Sequence, residues 1–223
     1  MKSAYATDAP QPGMKADLVK YARLIVTKGS GAGATLGLNI LLARLLVPEL
    51  AGTVFFCVAL GIFLSLLARL GLDIACLKNI SSLHEGQQRS YFDRALMLAA
   101  LMNIPAFLIG LAVVYFSKTT QAYFAHAVVL FAVTALGLSL LSIASETLKA
   151  KHKTSEGLFW QTAFQPALTL LLVAITGSDL TTVVACFVFS FALAILGSVW
   201  RARGSLPRSG SEAALGWREM LIL

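Results

Sequence analysis

Charged side chains interrupt long apolar stretches of this chain at a few positions, and these positions could carry chemistry. Arg44 closes one apolar segment, whereas Arg69 and Asp73 lie near the end of the next. A charged group at bilayer depth costs about 2.5 to 3.5 kcal/mol, so it needs either an interfacial position or a wet, protein-lined interior. We therefore predict a functional or helix-packing role for Arg44, because basic residues are otherwise nearly absent around it.

Gly61, Ser65, Arg69 and Asp73 follow one another at four-residue intervals and so share one helix face. Arg69 can then reach Asp73, which lowers the cost of both charges in a medium of low dielectric constant. The alternative is that Arg69 extends to the lipid headgroups from near the helix end. Both interpretations stay open.

Glu146 and two glutamines form a second set of candidates. Glu146 is either a cavity carboxylate or an interfacial partner of the lysines that follow it. Gln161, Gln165 and Thr169 are spaced by four residues beside Pro166, which predicts a kinked helix with amides on one face. Such amides join neighbouring membrane helices by default, but they can also donate hydrogen bonds to sugar hydroxyls.

Composition identifies the elements that must hold these residues. The chain is 57% hydrophobic and 13% charged with a mean hydropathy of +0.78, whereas a soluble domain is about 45 to 50% apolar and 25% charged. The apolar runs are too long and too continuous for a barrel, so an all-α polytopic membrane protein is predicted. We predict six transmembrane helices, over residues 24–46, 51–73, 95–116, 127–146, 157–175 and 182–200.

The distribution of lysine and arginine predicts the orientation. Fifteen basic residues fall in the tail and the entry to the first segment (which includes Lys28), in the second and fourth connections, and after the sixth segment, against two on the other side. Both termini are therefore predicted to be cytoplasmic. Residues 1–23 are predicted to form a cytoplasmic tail, residues 24–200 the six-helix membrane lobe, and residues 201–223 a cytoplasmic linker and the start of a seventh helix, as expected if the chain is truncated. Because the positive charge is spread over four stretches, we do not expect a nucleic-acid partner.

Other motifs favour structural roles. Cys57, Cys76 and Cys186 are too widely spaced for a metal site or a disulfide framework. The glycine-rich stretch over residues 29–37 lacks both the preceding strand and the Gly-Lys-Ser/Thr ending of a phosphate-binding loop. Its glycines at positions 29, 33 and 37 predict instead a smooth face that a neighbouring helix approaches closely. No catalytic residue, metal site or cofactor is predicted.

The junction ARLLVPELAG, from Ala43 to Gly52, and the ending Gly71 to Asp73 resemble the polysaccharide-transport flippases. These Wzx-like proteins belong to the multidrug/oligosaccharidyl-lipid/polysaccharide (MOP) superfamily, which has a MATE-like architecture. The spacing of the six segments resembles the N-terminal lobe of that family. Val47, where glycine is commoner, departs from the pattern.

The resemblance implies a transporter that moves polyprenyl-pyrophosphate-linked oligosaccharide across the bacterial inner membrane, as in O-antigen or lipopolysaccharide biosynthesis. It further implies that a missing C-terminal lobe or a second chain completes the cavity. Arg44 and Arg69 are then expected to attract the pyrophosphate, and Gln161 and Gln165 to contact sugar, with Asp73 and Glu146 as further cavity candidates. The alternatives are an ion-coupled multidrug exporter of the same superfamily and a non-transporting component of a glycan-assembly complex.

Overall fold

The structure, a computed structural model, describes residues 14–117, 120–177 and 179–207, and throughout them its regular elements are helical. The predicted start of a seventh helix and residues 1–13 of the predicted tail lie outside these ranges. The helices are α1 Met14–Leu45, α2 Pro48–Arg69, α3 Leu72–Ser82, α4 Glu85–Phe116, α5 Phe124–Ala150, α6 Thr154–Leu158, α7 Gln165–Thr176 and α8 Leu180–Ser205. A 3₁₀ turn, Gln121–Tyr123, precedes α5, and a π-helical segment, Phe159–Phe164, joins α6 to α7.

Within the described ranges, five helical segments are long and apolar enough to cross a membrane. They are α2, α4, the 3₁₀ turn with α5, the continuous segment from α6 through α7, and α8. The chain is therefore a multi-pass membrane protein. The first predicted segment, residues 24–46, corresponds to most of α1, which is also a long helix, but Lys28, Asn39 and its glycines lower its hydropathy.

The second predicted crossing, residues 51–73, ends earlier than the sequence suggested. Leu70 and Gly71 adopt left-handed backbone conformations, with φ of 43° and 85°, and they stop α2 at Arg69. Glycine has no Cβ to oppose such a φ, so Gly71 permits the turn. The chain then forms α3, a short helix that packs against α5 and α4 and that the sequence analysis did not predict. The break places Arg69 at the end of one helix and Asp73 at the start of the next.

The helix that contains Pro166 is irregular, as predicted, and the irregularity is a π-helical segment. Proline lacks an N–H group, and its ring clashes with the carbonyl four residues earlier. The wider turn over Phe159–Phe164 lies directly before Gln165 and Pro166, which are the first residues of α7. Single π turns of this kind shift the side chains that follow them relative to a regular helix.

α5 is the centre of the bundle. Of the five spans it is the most buried, because 61% of its most apolar 18-residue stretch is enclosed by other helices. It packs against α2, α3, α4, α6 and α8. Gly61 explains the close fit of α2, because a Cβ there would lie 2.6 Å from the Thr134 Cβ. The predicted face of Gly61, Ser65 and Arg69 is therefore the face that α2 turns toward α5.

α1 packs on a different surface, formed by α6, the π-helical segment and α7, and it barely touches α2. Its close contact is at Gly31, where a Cβ would lie 2.5 Å from the Thr162 carbonyl oxygen. The predicted contact face was wrong for Gly29 and Gly33, because nothing lies within 4 Å of a Cβ at either position. Only Gly37 of that set meets a neighbour, the Leu170 side chain at 3.4 Å.

Candidate functional site

The end of α2 and the start of α3 hold an ion pair that is mostly enclosed. The Arg69 Nη1 atom donates to Asp73 Oδ2 at 3.2 Å, and the two side chains are 12% and 24% exposed. Arg69 Nε also donates to the Ser65 carbonyl oxygen at 3.0 Å, and Nη1 donates to the Ser142 hydroxyl of α5. The sequence-based expectation that Arg69 reaches Asp73 is confirmed. The guanidinium is directed toward α5 by these contacts, which fit the paired alternative and not extension to headgroups.

Gln161 continues this network from the π-helical segment. Its Nε2 donates to Ser142 Oγ at 3.3 Å, and its Oε1 accepts from Ser145 Oγ at 3.0 Å. Lys149 Nζ lies 3.4 Å from the same Oε1 and 2.6 Å from Glu146 Oε1. Four of the six predicted site residues, Arg69, Asp73, Glu146 and Gln161, therefore belong to one chain of polar contacts.

The formal charges of this network cancel. Arg69 and Lys149 supply two cations, and Asp73 and Glu146 supply two anions, each within a salt bridge. Buried charges that are fully paired stabilise one arrangement of helices, but they leave no net charge to attract a ligand. Glu146 is the partner of Lys149, as one of the two sequence-based alternatives proposed.

A cleft of about 900 Å³ opens between α1 and α2, and Gln161 is one of its lining residues. Its walls are mostly apolar, with floor residues from α5, α7 and α8. The polar groups that line it are Lys28, Thr35, Asn39, Thr134, Gln161, Thr162 and Gln165. A concave, mainly apolar site with a few convergent polar groups is the usual form of a small-molecule site.

Lys28 is the only charged residue among the described residues that line the cleft. It is exposed, and none of the salt bridges formed within the described residues involves it. Lys28, Thr35 and Asn39 are separated by seven and four residues, so they share one face of α1. The sequence analysis treated Lys28 only as a cytoplasmic charge, although this spacing could have indicated its position.

Gln165 lines the cleft but belongs to a separate, smaller set of hydrogen bonds. Its Nε2 donates to Thr169 Oγ1 at 3.0 Å, and the Thr169 hydroxyl lies 2.6 Å from Ser190 Oγ of α8. These contacts tie α7 to α8 below the cleft. Gln161 thus joins two helices, as the default interpretation expected, whereas Gln165 bonds within α7 to the threonine that contacts α8. Both glutamines also line the cleft where a ligand could bind.

Arg44 is not brought near the other predicted residues. It is exposed in the last turn of α1, whereas Arg69 ends α2. Because α2 has 22 residues and rises about 1.5 Å per residue, the two guanidiniums lie at opposite ends of a helix roughly 30 Å long. One ligand headgroup cannot contact both, and neither arginine lines the cleft.

Cys76 of α3 packs against the neutral network. Burial, together with the nearby carboxylates Asp73 and Glu146, raises the pKa of its thiol to about 12. All three cysteines are free and buried. Among the residues that the structure describes, no group of three His, Cys, Asp or Glu side chains could hold a metal ion.

Comparison with known proteins identifies no relative of this chain. No protein-family model matches the chain, and neither a curated protein nor a solved structure matches it significantly.

Proposed function

We propose that this chain is one lobe of a MOP-type flippase that moves polyprenyl-pyrophosphate-linked oligosaccharide across the bacterial inner membrane. In this proposal α1 is the sixth transmembrane helix, and the end of the bundle that carries Lys149 and Arg203 faces the cytoplasm. The resemblance of the Ala43–Gly52 junction to that family supports the assignment. No enzymatic step is part of it.

The observation that carries the proposal is the chemistry of the cleft. A lipid-linked oligosaccharide combines a long apolar tail, an anionic pyrophosphate and sugar hydroxyls. The cleft offers mostly apolar walls, the ammonium of Lys28, which forms no salt bridge with a described residue, and the amides of Gln161, Gln165 and Asn39. An ammonium that makes no internal salt bridge is available to phosphate oxygens, and amides match hydroxyls in both donor and acceptor capacity.

This assignment moves the anion-binding role from the arginines to Lys28. Arg69 is neutralised by Asp73, and Arg44 lies at the far end of the bundle from it. The cleft is open on the side between α1 and α2, so a C-terminal lobe or a second copy of the chain would complete its wall. Membrane lipid and the lipid-linked substrate are the other partners.

The test uses the full-length gene in its host. Deletion should remove the surface glycan and leave lipid-linked oligosaccharide on the cytoplasmic leaflet. Lys28→Gln should reduce export about tenfold or more, because a hydrogen bond to a charged group contributes about 1.5 to 3 kcal/mol. Lys78→Gln is the matched control, since Lys78 is an exposed lysine of α3 that does not line the cleft.

Normal surface glycan in the deletion strain would reject a role in its export. The deletion could remove the glycan while variants of the chain that cannot transport lipid-linked oligosaccharide restore it. The chain would then act as a non-transporting component of the assembly complex. If the deletion strain kept its surface glycan but lost sodium- or proton-dependent dye efflux, the result would favour the multidrug exporter. The ammonium of Lys28 opposes that alternative for cationic drugs.

A further inference from the structure

A second groove, of about 660 Å³, lies nearer the start of α1 than the cleft does, where α1 approaches the start of α6 and the end of α8, and it shares no lining residue with the cleft. Its polar lining includes Arg23, Glu156 and Arg201, and its aromatic lining includes Trp160 and Trp200. Arg23 precedes Lys28 by five residues, which is about 140° around the helix, so the two cations face different spaces. The groove is therefore separate from the site of the proposed function.

The groove has a defined excess of positive charge. Glu156 accepts two hydrogen bonds from Arg201, at 2.8 Å from Nε and 3.0 Å from Nη2, so this pair is neutral. Arg23 is exposed, and the described residues offer its guanidinium no hydrogen bond or salt bridge. The three charged groups thus sum to one positive charge, which a single phosphodiester would neutralise.

The position of the groove matches the depth of lipid headgroups. Glu156 lies in the first turns of the α6–α7 span, and Trp200 lies five residues before the end of α8, or about 8 Å along its axis. Trp200 is 76% exposed and Phe159 is 44% exposed, so both present apolar surface beside the two arginines. Tryptophan is enriched at this level of membrane proteins because its ring is amphipathic.

We propose that this groove binds one anionic phospholipid, with its phosphodiester at the Arg23 guanidinium and at the Arg201 N–H groups that Glu156 leaves free, and its acyl chains against Phe159 and Trp200. Guanidinium groups suit phosphate oxygens because their fork of N–H donors matches the spacing of those oxygens. Glu156 holds Arg201 in place and is not itself a ligand. A phospholipid of zero net charge lacks the charge that would neutralise the groove, and it binds more weakly.

Native mass spectrometry of the purified chain in detergent, titrated with phosphatidylglycerol or phosphatidylcholine, tests the proposal. We expect phosphatidylglycerol to bind at least tenfold more tightly, and Arg23→Gln to remove that preference. Lys78→Gln makes the same charge change at an exposed site outside the groove, and it should leave the preference intact. Circular dichroism confirms that both variants are folded.

Trp200→Ala provides a second variant that keeps every charge. For the unmodified chain, 0.5 M salt should weaken phosphatidylglycerol binding because it screens the charges. Trp200→Ala should also weaken that binding, but salt should weaken it further by the same factor as in the unmodified chain. Competition by millimolar inorganic phosphate alone would assign the site to free phosphate and overturn the lipid proposal. Equal binding of the two lipids, or equal behaviour of R23Q and K78Q, would also overturn it. None of these readouts depends on glycan export.

Discussion

The neutral network and the cleft share Gln161, but they differ in whether their charged side chains are paired. In the network, Arg69 and Lys149 are enclosed and each is paired with a carboxylate. In the cleft, Lys28 is exposed and is not in a salt bridge with any described residue. The pairing that makes a charge tolerable inside a helix bundle also removes its attraction for a ligand. Charged residues in the apolar part of this protein therefore divide into those that hold helices together and one that can bind.

Arg69→Ala should have the largest effect on stability. It removes the counter-charge of Asp73, which keeps hydrogen bonds from the Ile74 N–H and the Ser142 hydroxyl and is 24% exposed. The expected loss of unfolding free energy is about 3 kcal/mol, at the lower end for a buried ion pair. Unfolding in detergent, followed by circular dichroism, measures the change. Arg44→Ala, an exposed arginine of α1, is the control and should change stability by less than about 0.5 kcal/mol.

A double variant sharpens this test of the network. Replacement of Arg69 and Asp73 together by leucine removes both charges, and it should restore most of the stability that Arg69→Ala loses. If the double variant were as unstable as the single one, the pair would not be a neutral structural unit.

Gly31→Ala should have the next largest effect. The new Cβ would lie 2.5 Å from the Thr162 carbonyl oxygen, so α1 must move from the π-helical segment, at a cost of about 1 to 3 kcal/mol. Gly33→Ala is matched in chemistry but meets nothing within 4 Å, and it should stabilise the helix by up to about 1 kcal/mol. Thermal unfolding of the two variants in parallel gives the comparison. Equal changes would mean that α1 does not pack through Gly31.

Gln161→Leu tests whether the network and the cleft are energetically separate. It removes the acceptor of Ser145 and a donor to Ser142, at a cost of about 1 to 3 kcal/mol. A double-mutant cycle with Ser145→Ala should show a coupling of about 0.5 kcal/mol or more, as expected for residues in contact. The corresponding cycle with Lys28→Gln should be additive within about 0.5 kcal/mol. Coupling to Lys28 as strong as to Ser145 would merge the two regions.

Lys28→Gln should have the smallest effect on stability, less than about 0.5 kcal/mol, because Lys28 is exposed and makes no salt bridge to lose. Chemical denaturation of the purified variant measures it. A loss above 1 kcal/mol would show that Lys28 is structural, and the loss of export proposed for this variant would then need another explanation.

The sequence alone predicted much of the architecture. Composition and apolar run length indicated membrane helices, since lipid admits few other backbone structures. The described residues contain five helices long and apolar enough to cross a membrane, of the six that were predicted. Four-residue spacing predicted the Arg69–Asp73 pair, which forms across one turn of the chain. The spacing of Gln161 and Gln165 predicted amides on one helix face, and Gln161 does join a neighbouring helix, although the sequence did not indicate that its partners lie on α5.

The assignment of roles depended on tertiary structure. Arg69 and Lys28 are both basic residues in apolar surroundings, and local sequence does not distinguish the paired one from the free one. The left-handed turn at Leu70 and Gly71, the π-helical segment before Pro166 and the contact of Gly31 with Thr162 decide which side chains meet. Sequence determined that charges would lie within the bundle. Only the packing of α1 away from α2 decided which of them faces an open cleft, because that packing depends on contacts between residues more than 100 positions apart.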